Sequence, residues 1–308
     1  MKISYHLPVE DVSQPDQFHT AAAIAEMVGA MEQAGMEACY VTDHPAPSER
    51  WLESGGHHAL DPFVALSFAA AASTRIRLHT HILVLAYRNP FMSAKSIASL
   101  DRLSGGRVIL GVGHGYMEEE FAALGSDFAT RGAAMEESLL VMREAWRGGT
   151  VQHKGAKFDA AGNVSLPTPV QAGGPPVWVG GNSGNAMRLA AGSCDGWAPF
   201  PASPKASART HTQALTDIPT LRDKIKVIHE MRAAAGRSGP FDICMVPFQA
   251  LMQAGARPDA QKLIDELAAL AEAGVTWSAI SLPSPSRAAF VESAHWFAAD
   301  VRPHLPKR

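Results

Sequence analysis

A (β/α)8 barrel of the α/β class is the fold that the sequence predicts, and three observations predict it. Eight short apolar runs recur along the chain, a helical repeat follows each of them, and 308 residues hold a barrel core of about 250 residues with room for one inserted segment. Consecutive parallel strands need crossover helices, so an unbroken strand–helix alternation favours a closed barrel over two doubly wound sheets. Periodicity alone leaves an open sheet as the alternative.

The first apolar run, Ile3–Leu7, is followed by a helical pattern in which Phe18, Ala25, Val28 and Met31 share a face. Gly35 closes that helix before the second run, Cys39–Val41. A helix over about 62–73, the strand Ile76–Leu85, a helix over about 90–103 and the strand Val108–Gly113 continue the series, the last entered from the turn Ser104-Gly105-Gly106. Met135, Leu139, Met142 and Trp146 then mark one helical face. The polar, Gly- and Pro-rich stretch 148–174 reads as an insertion after the fourth βα unit, with a hairpin near His153–Phe158. The second half resumes with Val177–Val179, a helix over about 185–191, the short strand Trp197–Pro199, and a loop, Pro201–Pro219, suited to cover a site. A helix over about 221–235, the strand Ile243–Leu251, a helix carrying Leu263, Leu267 and Leu270, the strand Trp277–Leu282, and a helix with Phe290, Ala294, Phe297 and Val301 complete one domain over 1–308.

Composition narrows the function. With 27 Lys+Arg against 30 Asp+Glu and a net charge of -3, the chain has no basic field for nucleic acid or an anionic membrane. Apolar stretches such as Phe63–Ala72 are too short to span a bilayer, and the first residues lack a signal-peptide pattern, so a cytoplasmic location is expected. Cys39, Cys194 and Cys244 are odd in number and far apart, which argues for buried thiols rather than disulfides or a cysteine zinc site.

Barrel sites lie at the C-terminal strand ends, which selects His6, Asp43-His44, Thr80 and His81 with Arg88-Asn89, His114 to Tyr116, and Gly180-Gly181-Asn182-Ser183. Later strands end poorer in titratable groups, at Ala198-Pro199-Phe200, near Gln249, and at Ser281-Leu282-Pro283. His79-Thr80-His81 places two imidazoles on one strand face, as a metal-dependent hydrolase would need, but strands five to eight offer no further ligands, and the plainer reading of both rings is filling. No metal is expected. Gly180 to Gly184 sits between a strand and a helix and combines free N–H groups, a hydroxyl and a helix N-terminus, a combination that suits a phosphate; the plain alternative is a glycine turn. Gly111-Val112-Gly113-His114-Gly115 lacks the spacing of a dinucleotide fingerprint. Glu118, Glu119 and Glu120 read as a solvated helix start without a chemical role.

These residues together resemble the bacterial luciferase-like superfamily of flavin- and deazaflavin-dependent oxidoreductases. The resemblance runs nearly end to end. It rests on Val41-Thr42-Asp43-His44, Leu60-Asp61-Pro62-Phe63, the segment Ile76 to Val84, Arg88-Asn89-Pro90, the block Leu100 to Gly113, Glu120-Phe121, Leu124-Gly125, Pro176 to Ser183, and Cys194-Asp195-Gly196-Trp197. It is specific for superfamily rather than substrate, and is most similar to the branch using coenzyme F420, a 5-deazaflavin, while relatives use reduced FMN and oxygen.

The resemblance implies hydride transfer between F420 and a small organic substrate, or FMN-dependent monooxygenation with a separate flavin reductase. It implies that Gly180, Gly181, Asn182 and Ser183 hold the cofactor's phosphate, and that Thr80, His81 and Ile82 support its ring, the His81–Ile82 peptide matching a non-prolyl cis bond of the superfamily. His44 corresponds to the active-site histidine, a general acid/base because imidazole titrates near neutrality, with Asp43 orienting it or bonding the cofactor. Tyr116 stands where the sugar-phosphate dehydrogenase branch has a catalytic glutamate, so that activity is not implied, and His114 and Tyr116 become substrate-pocket residues. Trp197 reads equally as a cofactor contact or a core residue. A homodimer is expected from the same resemblance. A metal-dependent hydrolase, and a barrel that binds cofactor without turnover, are the other classes considered.

Overall fold

The structure is a computed structural model and describes residues 1–248 and 257–306. Among them, eight parallel strands close a barrel: β1 (Lys2–His6), β2 (Ala38–Val41), β3 (Arg77–Val84), β4 (Val108–Gly113), β7 (Val177–Gly180), β8 (Gly196–Ala198), β9 (Asp242–Met245) and β10 (Trp277–Ile280). Closure is direct, with β1 pairing β2 on one side and β10 on the other (Tyr5 opposite Cys39 and Ile280). Each strand is buried on both faces by its neighbours, which is why the runs read as continuously apolar: every residue of β2, β4, β7, β8 and β10 is buried.

The helices α2 (Ala21–Gln33), α4 (Pro62–Ala72), α5 (Pro90–Ser104), α7 (Arg131–Trp146), α8 (Gly184–Ser193), α10 (Ile218–Ala234), α11 (Ala260–Glu272) and α12 (Arg287–Trp296) surround the barrel. Their starts are chemically marked. Asp61 accepts the N–H groups of Phe63 and Val64 ahead of Pro62, and Asn89 does the same for Phe91 and Met92 ahead of Pro90, satisfying donors that the first turn leaves open. Gly105, left-handed at φ 70, ends α5. At the opposite end of the barrel from the strand termini, Arg107 donates to the carbonyls of Ile76, Ala70 and Ser104. The buried Asp101 accepts the N–H groups of Val170 and Gln171, so the long block 100–113 is largely a bracing element.

Four short helices that periodicity could not reveal lie in βα loops: α1 (Pro15–Phe18), α3 (Glu49–Glu53), α6 (Glu118–Ala123) and α9 (Pro204–Thr210). The expected face of the first helix is corrected by them. Phe18 belongs to the separate α1, Ala25 is exposed, and the buried side of α2 is Ala23, Ile24, Met27, Val28 and Met31. The segment 201–219 is likewise more than a loop, since it holds α9 and a bridge between Ala202 and Leu215. Strand β9 ends at Met245, short of the expected Leu251; Leu251 and Gln249 lie outside the described residues. The expected hairpin is present as β5 (Thr150–Lys154) and β6 (Asp159–Val164), outside the barrel and tied to α7 where Glu137 accepts the N–H groups of Lys157 and Phe158 and meets His153 at 3.2 Å. Cys39, Cys194 and Cys244 are buried free thiols.

Glycine placement tests this packing. A Cβ on Gly111 of β4 would lie 2.1 Å from the Thr80 carbonyl oxygen, whereas one on Gly29 of α2 would meet nothing within 4 Å. Gly111→Ala is therefore expected to destabilise the fold by about 1–3 kcal/mol through overpacking. Gly29→Ala is expected to stabilise it by about 0.5–1 kcal/mol through helix propensity. Thermal or urea unfolding of the two variants checks both signs.

Candidate active site

The site begins with an irregularity in β3. Thr80 pairs with Leu110 and Leu83 with Val112, so two residues, His81 and Ile82, stand opposite the single Gly111 of β4, and the peptide between them is cis. Room for this bulge comes from glycines on β4, beside it, and on β7, one strand further round the barrel. A Cβ at Gly113 would lie 1.8 Å from Ile82 Cδ1, and one at Gly180 would lie 3.1 Å from Ile82 Cγ2. Thr80, itself buried, donates its hydroxyl to the Gly111 carbonyl at 2.8 Å and holds the distorted edge to β4.

Above the bulge is a cavity of about 500 Å³. Of the residues singled out in the sequence, His81, Ile82, His114, Tyr116, Gly180, Gly181 and Ser183 line it, together with Gly113, Arg131, Phe200 and the turn Thr210 to Thr212. Thr80 and Asn182 stand behind the wall. Asn182 is fully buried; its Nδ2 donates to the carbonyls of Phe200 and Gln213 and its Oδ1 accepts the Phe200 N–H, which ties the segment after β8 to the end of β7. Ser183 caps α8 by accepting the Ala186 N–H, and Gly181 holds a φ of +108 that a side chain would strain. Trp197 is a core residue, buried and donating its indole N–H to the Gly181 carbonyl at 2.8 Å.

This lining fits a phosphate-bearing tricyclic cofactor. Ile82 presents an apolar surface in a cradle that Cβ atoms at Gly113 and Gly180 would fill, and the helix N-terminus at Ser183 opens on the same cavity with its unpaired N–H groups.

His44 stands beside this cavity rather than in its lining. Its ring lies 4.5 Å from Trp51, 5.1 Å from His57 and 6.1 Å from Tyr116, centroid to centroid. Its Nδ1 is 3.5 Å from Glu120 Oε2, and the other Glu120 oxygen accepts the Ala46 N–H at 3.1 Å. The expectation of a solvated helix start at 118–120 is thus corrected for Glu120, which is 2% exposed on the inward side of α6. A run of three glutamates carries no signal as to which one turns inward; Glu120-Phe121, both buried, was the available hint.

Asp43 has a different occupation from the one expected of it. It receives Nη2 of Arg88 at 2.6 Å, Nε of Arg88 at 3.2 Å and the Val84 N–H at 3.0 Å, so both oxygens brace the end of β3. Burial pushes its carboxyl up, and the Arg88 guanidinium pulls it back. A second cavity, of about 540 Å³, lies between α3, α6 and α9 and shares Tyr116 and His211 with the first. His211 has φ 51, left-handed and uncommon for a non-glycine residue.

The barrel mouth is rich in neutral imidazoles. His79 is fully buried with Nδ1 3.0 Å from Ser4 Oγ, and burial takes its basicity well below the ordinary value. Burial lowers His81 and His6 to about 4, and His81 Nδ1 has no protein partner. His114 is lowered by burial and by Arg131. The expected His79/His81 pair stands ring to ring at 5.1 Å, but among the described residues no group of three His, Cys, Asp or Glu side chains is placed to hold a metal ion.

These shifts set a pH dependence. His6 and His81 bind their proton in the unfolded chain near 6.5 and in the folded chain only near 4, so between these values the unfolded state holds more protons. Stability is expected to be full above about pH 6.5 and to fall as pH drops toward 4. His81→Asn should flatten that slope in melting temperature against pH; an unchanged slope would refute the assignment.

Comparison with known proteins agrees with this architecture. Residues 1–300 match the luciferase-like monooxygenase family. An uncharacterised protein of Mycobacterium tuberculosis (strain H37Rv) is 30% identical over 253 residues, covering 81% of this chain and 78% of that protein. An F420-dependent glucose-6-phosphate dehydrogenase of Amycolatopsis mediterranei is 31% identical over 188 residues, covering 58% and 53%. Among solved structures, an F420-dependent secondary alcohol dehydrogenase in complex with an F420–acetone adduct superposes with TM-score 0.77 at 19% identity, covering 99% of both chains. The oxygenating constituent of a Pseudomonas putida 3,6-diketocamphane monooxygenase, in complex with FMN, superposes with TM-score 0.73 at 16% identity, covering 100% of both. The chain, a (β/α)8 barrel with its bulge, glycine cradle and capped helix gathered at one mouth, belongs to the luciferase-like monooxygenase family of oxidoreductases.

Proposed function

We propose that this protein transfers a hydride between coenzyme F420 and a small organic substrate, with His44 giving or taking the accompanying proton. The observation that carries the reading is the adjacency of two arrangements: the cavity over the His81–Ile82 bulge, and the buried His44–Glu120 pair one side chain away, behind Tyr116. The F420 dependence named for the Amycolatopsis relative supports the choice of cofactor.

In this reading the cofactor, when bound, supplies or accepts the hydride. Ile82 backs its ring, and the N-terminus of α8 after Ser183 binds its phosphate through backbone N–H groups, while Gly180 and Gly181, the latter with its N–H donated to the Ala198 carbonyl, line the cavity without side chains and let the phosphate approach. Asn182 acts from behind by holding the segment 200–213 over the cavity. Glu120 Oε2 faces His44 Nδ1 at 3.5 Å without a hydrogen bond, so the carboxylate lies beside the ring that exchanges a proton with substrate. Asp43, committed to Arg88 and Val84, fixes the backbone on which His44 stands. His114 and Tyr116 bound the substrate space, and because Tyr116 carries no carboxyl, a sugar phosphate is not the substrate proposed.

The FMN named for the camphane monooxygenase structure supports a second reading, monooxygenation with reduced FMN delivered by a separate reductase. Exposed Val64 and Phe68 on α4, with Met92 and Leu103 on α5, support a homodimer in either case.

Titration with F420 and with FMN, oxidised and reduced, followed by absorbance and fluorescence, separates the readings. Tight binding of F420 alone is expected; preference for reduced FMN with oxygen consumption would replace the first reading by the second, and binding of neither would overturn both. His44→Ala is expected to bind the cofactor as well as the parent and to lose about 10²- to 10⁴-fold in turnover, the range supplied by a positioned acid/base. Turnover within twofold of the parent would sink that role.

A further inference from the structure

The second cavity, of about 540 Å³ between α3, α6 and α9, adjoins the proposed reaction centre through shared walls. Trp51 and Tyr116 line it, and the same two rings stand 4.5 Å and 6.1 Å from the His44 imidazole, centroid to centroid. Tyr116 also lines the cavity over the bulge, so a phenol ring is common to both spaces. A molecule in the second chamber thus lies against the two rings that neighbour His44, while the first chamber is the one whose lining fits the cofactor.

The charges around this chamber do not cancel evenly. Trp51, Tyr116 and Met117 offer apolar surface, and Arg50 is engaged by Glu119 at 3.6 Å. Glu118 lies in the first turn of α6, where the open N–H groups of the helix offset its charge. Arg209, in the last turn of α9, lines the chamber, and among the described residues none hydrogen-bonds or ion-pairs with its guanidinium. Its charge is felt at the shared wall: burial raises the Tyr116 phenol, and Arg209 pulls it back. One uncompensated cation beside aromatic surface is the lining that a monoanion with an apolar body requires.

We propose that this chamber holds the substrate and that the substrate is a carboxylic acid, with Arg209 binding its carboxylate and Trp51 and Tyr116 packing its apolar body. The inference rests on the reading of His44 as the proton-exchanging residue, which puts the reacting carbon at the Trp51–Tyr116 side and the carboxylate at the α9 side. A guanidinium meets a planar carboxylate through two parallel N–H donors, so no second cation is needed. A phosphate dianion calls for one, and Arg50 is already engaged by Glu119. The segment 201–219 then serves both chambers, since Thr210 to Thr212 line the first and Arg209 the second.

Three compounds of similar size and different charge make the test: benzoate, benzamide and benzylamine, which are anionic, neutral and cationic near neutral pH. In the full chain without cofactor, labelled with ¹⁵N-tryptophan, the Trp51 indole resonance is identified by its absence from Trp51→Phe and followed during titration. Benzoate is expected to shift it saturably and to bind about tenfold more tightly than benzamide, with benzylamine weaker still. Arg209→Gln is expected to bring benzoate down to the level of benzamide, and because Arg209 is exposed the fold is expected to hold. Equal affinity for benzoate and benzamide, a preference for benzylamine, or benzoate binding that survives Arg209→Gln overturns the proposal. So does a parent whose Trp51 resonance none of the three compounds moves. Failure of F420 and FMN to bind would remove the proposed hydride transfer and leave this measurement as it stands, whereas loss of the carboxylate site with cofactor binding intact would leave hydride transfer in place for another class of substrate.

Discussion

The placement of Ile82 is the constraint from which the site follows. Two residues of β3 stand against one of β4, and Ile82 enters space that side chains at Gly113 and Gly180 would occupy. The adjoining β4 and the next strand round, β7, thus give up a side chain to β3. The apolar floor of the cavity, the glycine-rich end of β7 and the start of α8 all sit around that exchange. The fold tolerates the irregular strand because the barrel on either side is regular. Thr80 is bonded to Gly111 just before the bulge, and Val84 to Asp43 just after it. A short segment is therefore pinned at both ends while its middle is shaped by contact.

Carboxylates divide the remaining work by position. Asp101 and Asp43 are both buried and both saturated with donors, one holding the linker at 170–171 and the other the end of β3. Charges so enclosed are stable only with their partners, and removing one partner is far more damaging than the pair is helpful. Glu120 differs in having an imidazole on one oxygen and a single backbone donor on the other. Acidic side chains of the same kind are thus held to different degrees, according to how many donors reach them.

The fold was legible because barrel strands are buried on both faces, so their runs stay largely apolar, with small or histidine interruptions such as Ser4, His79 and Ser278 that are themselves buried. The eight strands and eight surrounding helices follow from runs and caps such as Asp61-Pro62 and Asn89-Pro90. The short helices α1, α3, α6 and α9 were not legible, since four to seven residues are too few for a repeat to stand out. Ala25 was assigned to a buried face because alanine does not distinguish the two sides of a helix. At the site, the glycine-rich end of β7 and the imidazoles at the ends of β1, β2 and β3 were readable from residue type alone. The roles of Asp43 and Glu120 were not. Both are decided by which donors tertiary packing brings near, Arg88 45 residues away for one and Ala46 74 residues away for the other.

Tyr116 and His211 belong to two chambers at once, one over the bulge and one between α3, α6 and α9. A wall that is one side chain thick transmits volume. Any molecule that displaces either ring from one chamber changes the space in the other, and free-energy linkage makes the effect equal in both directions. Where two molecules fill both chambers, the affinity of each then depends on the presence of the other.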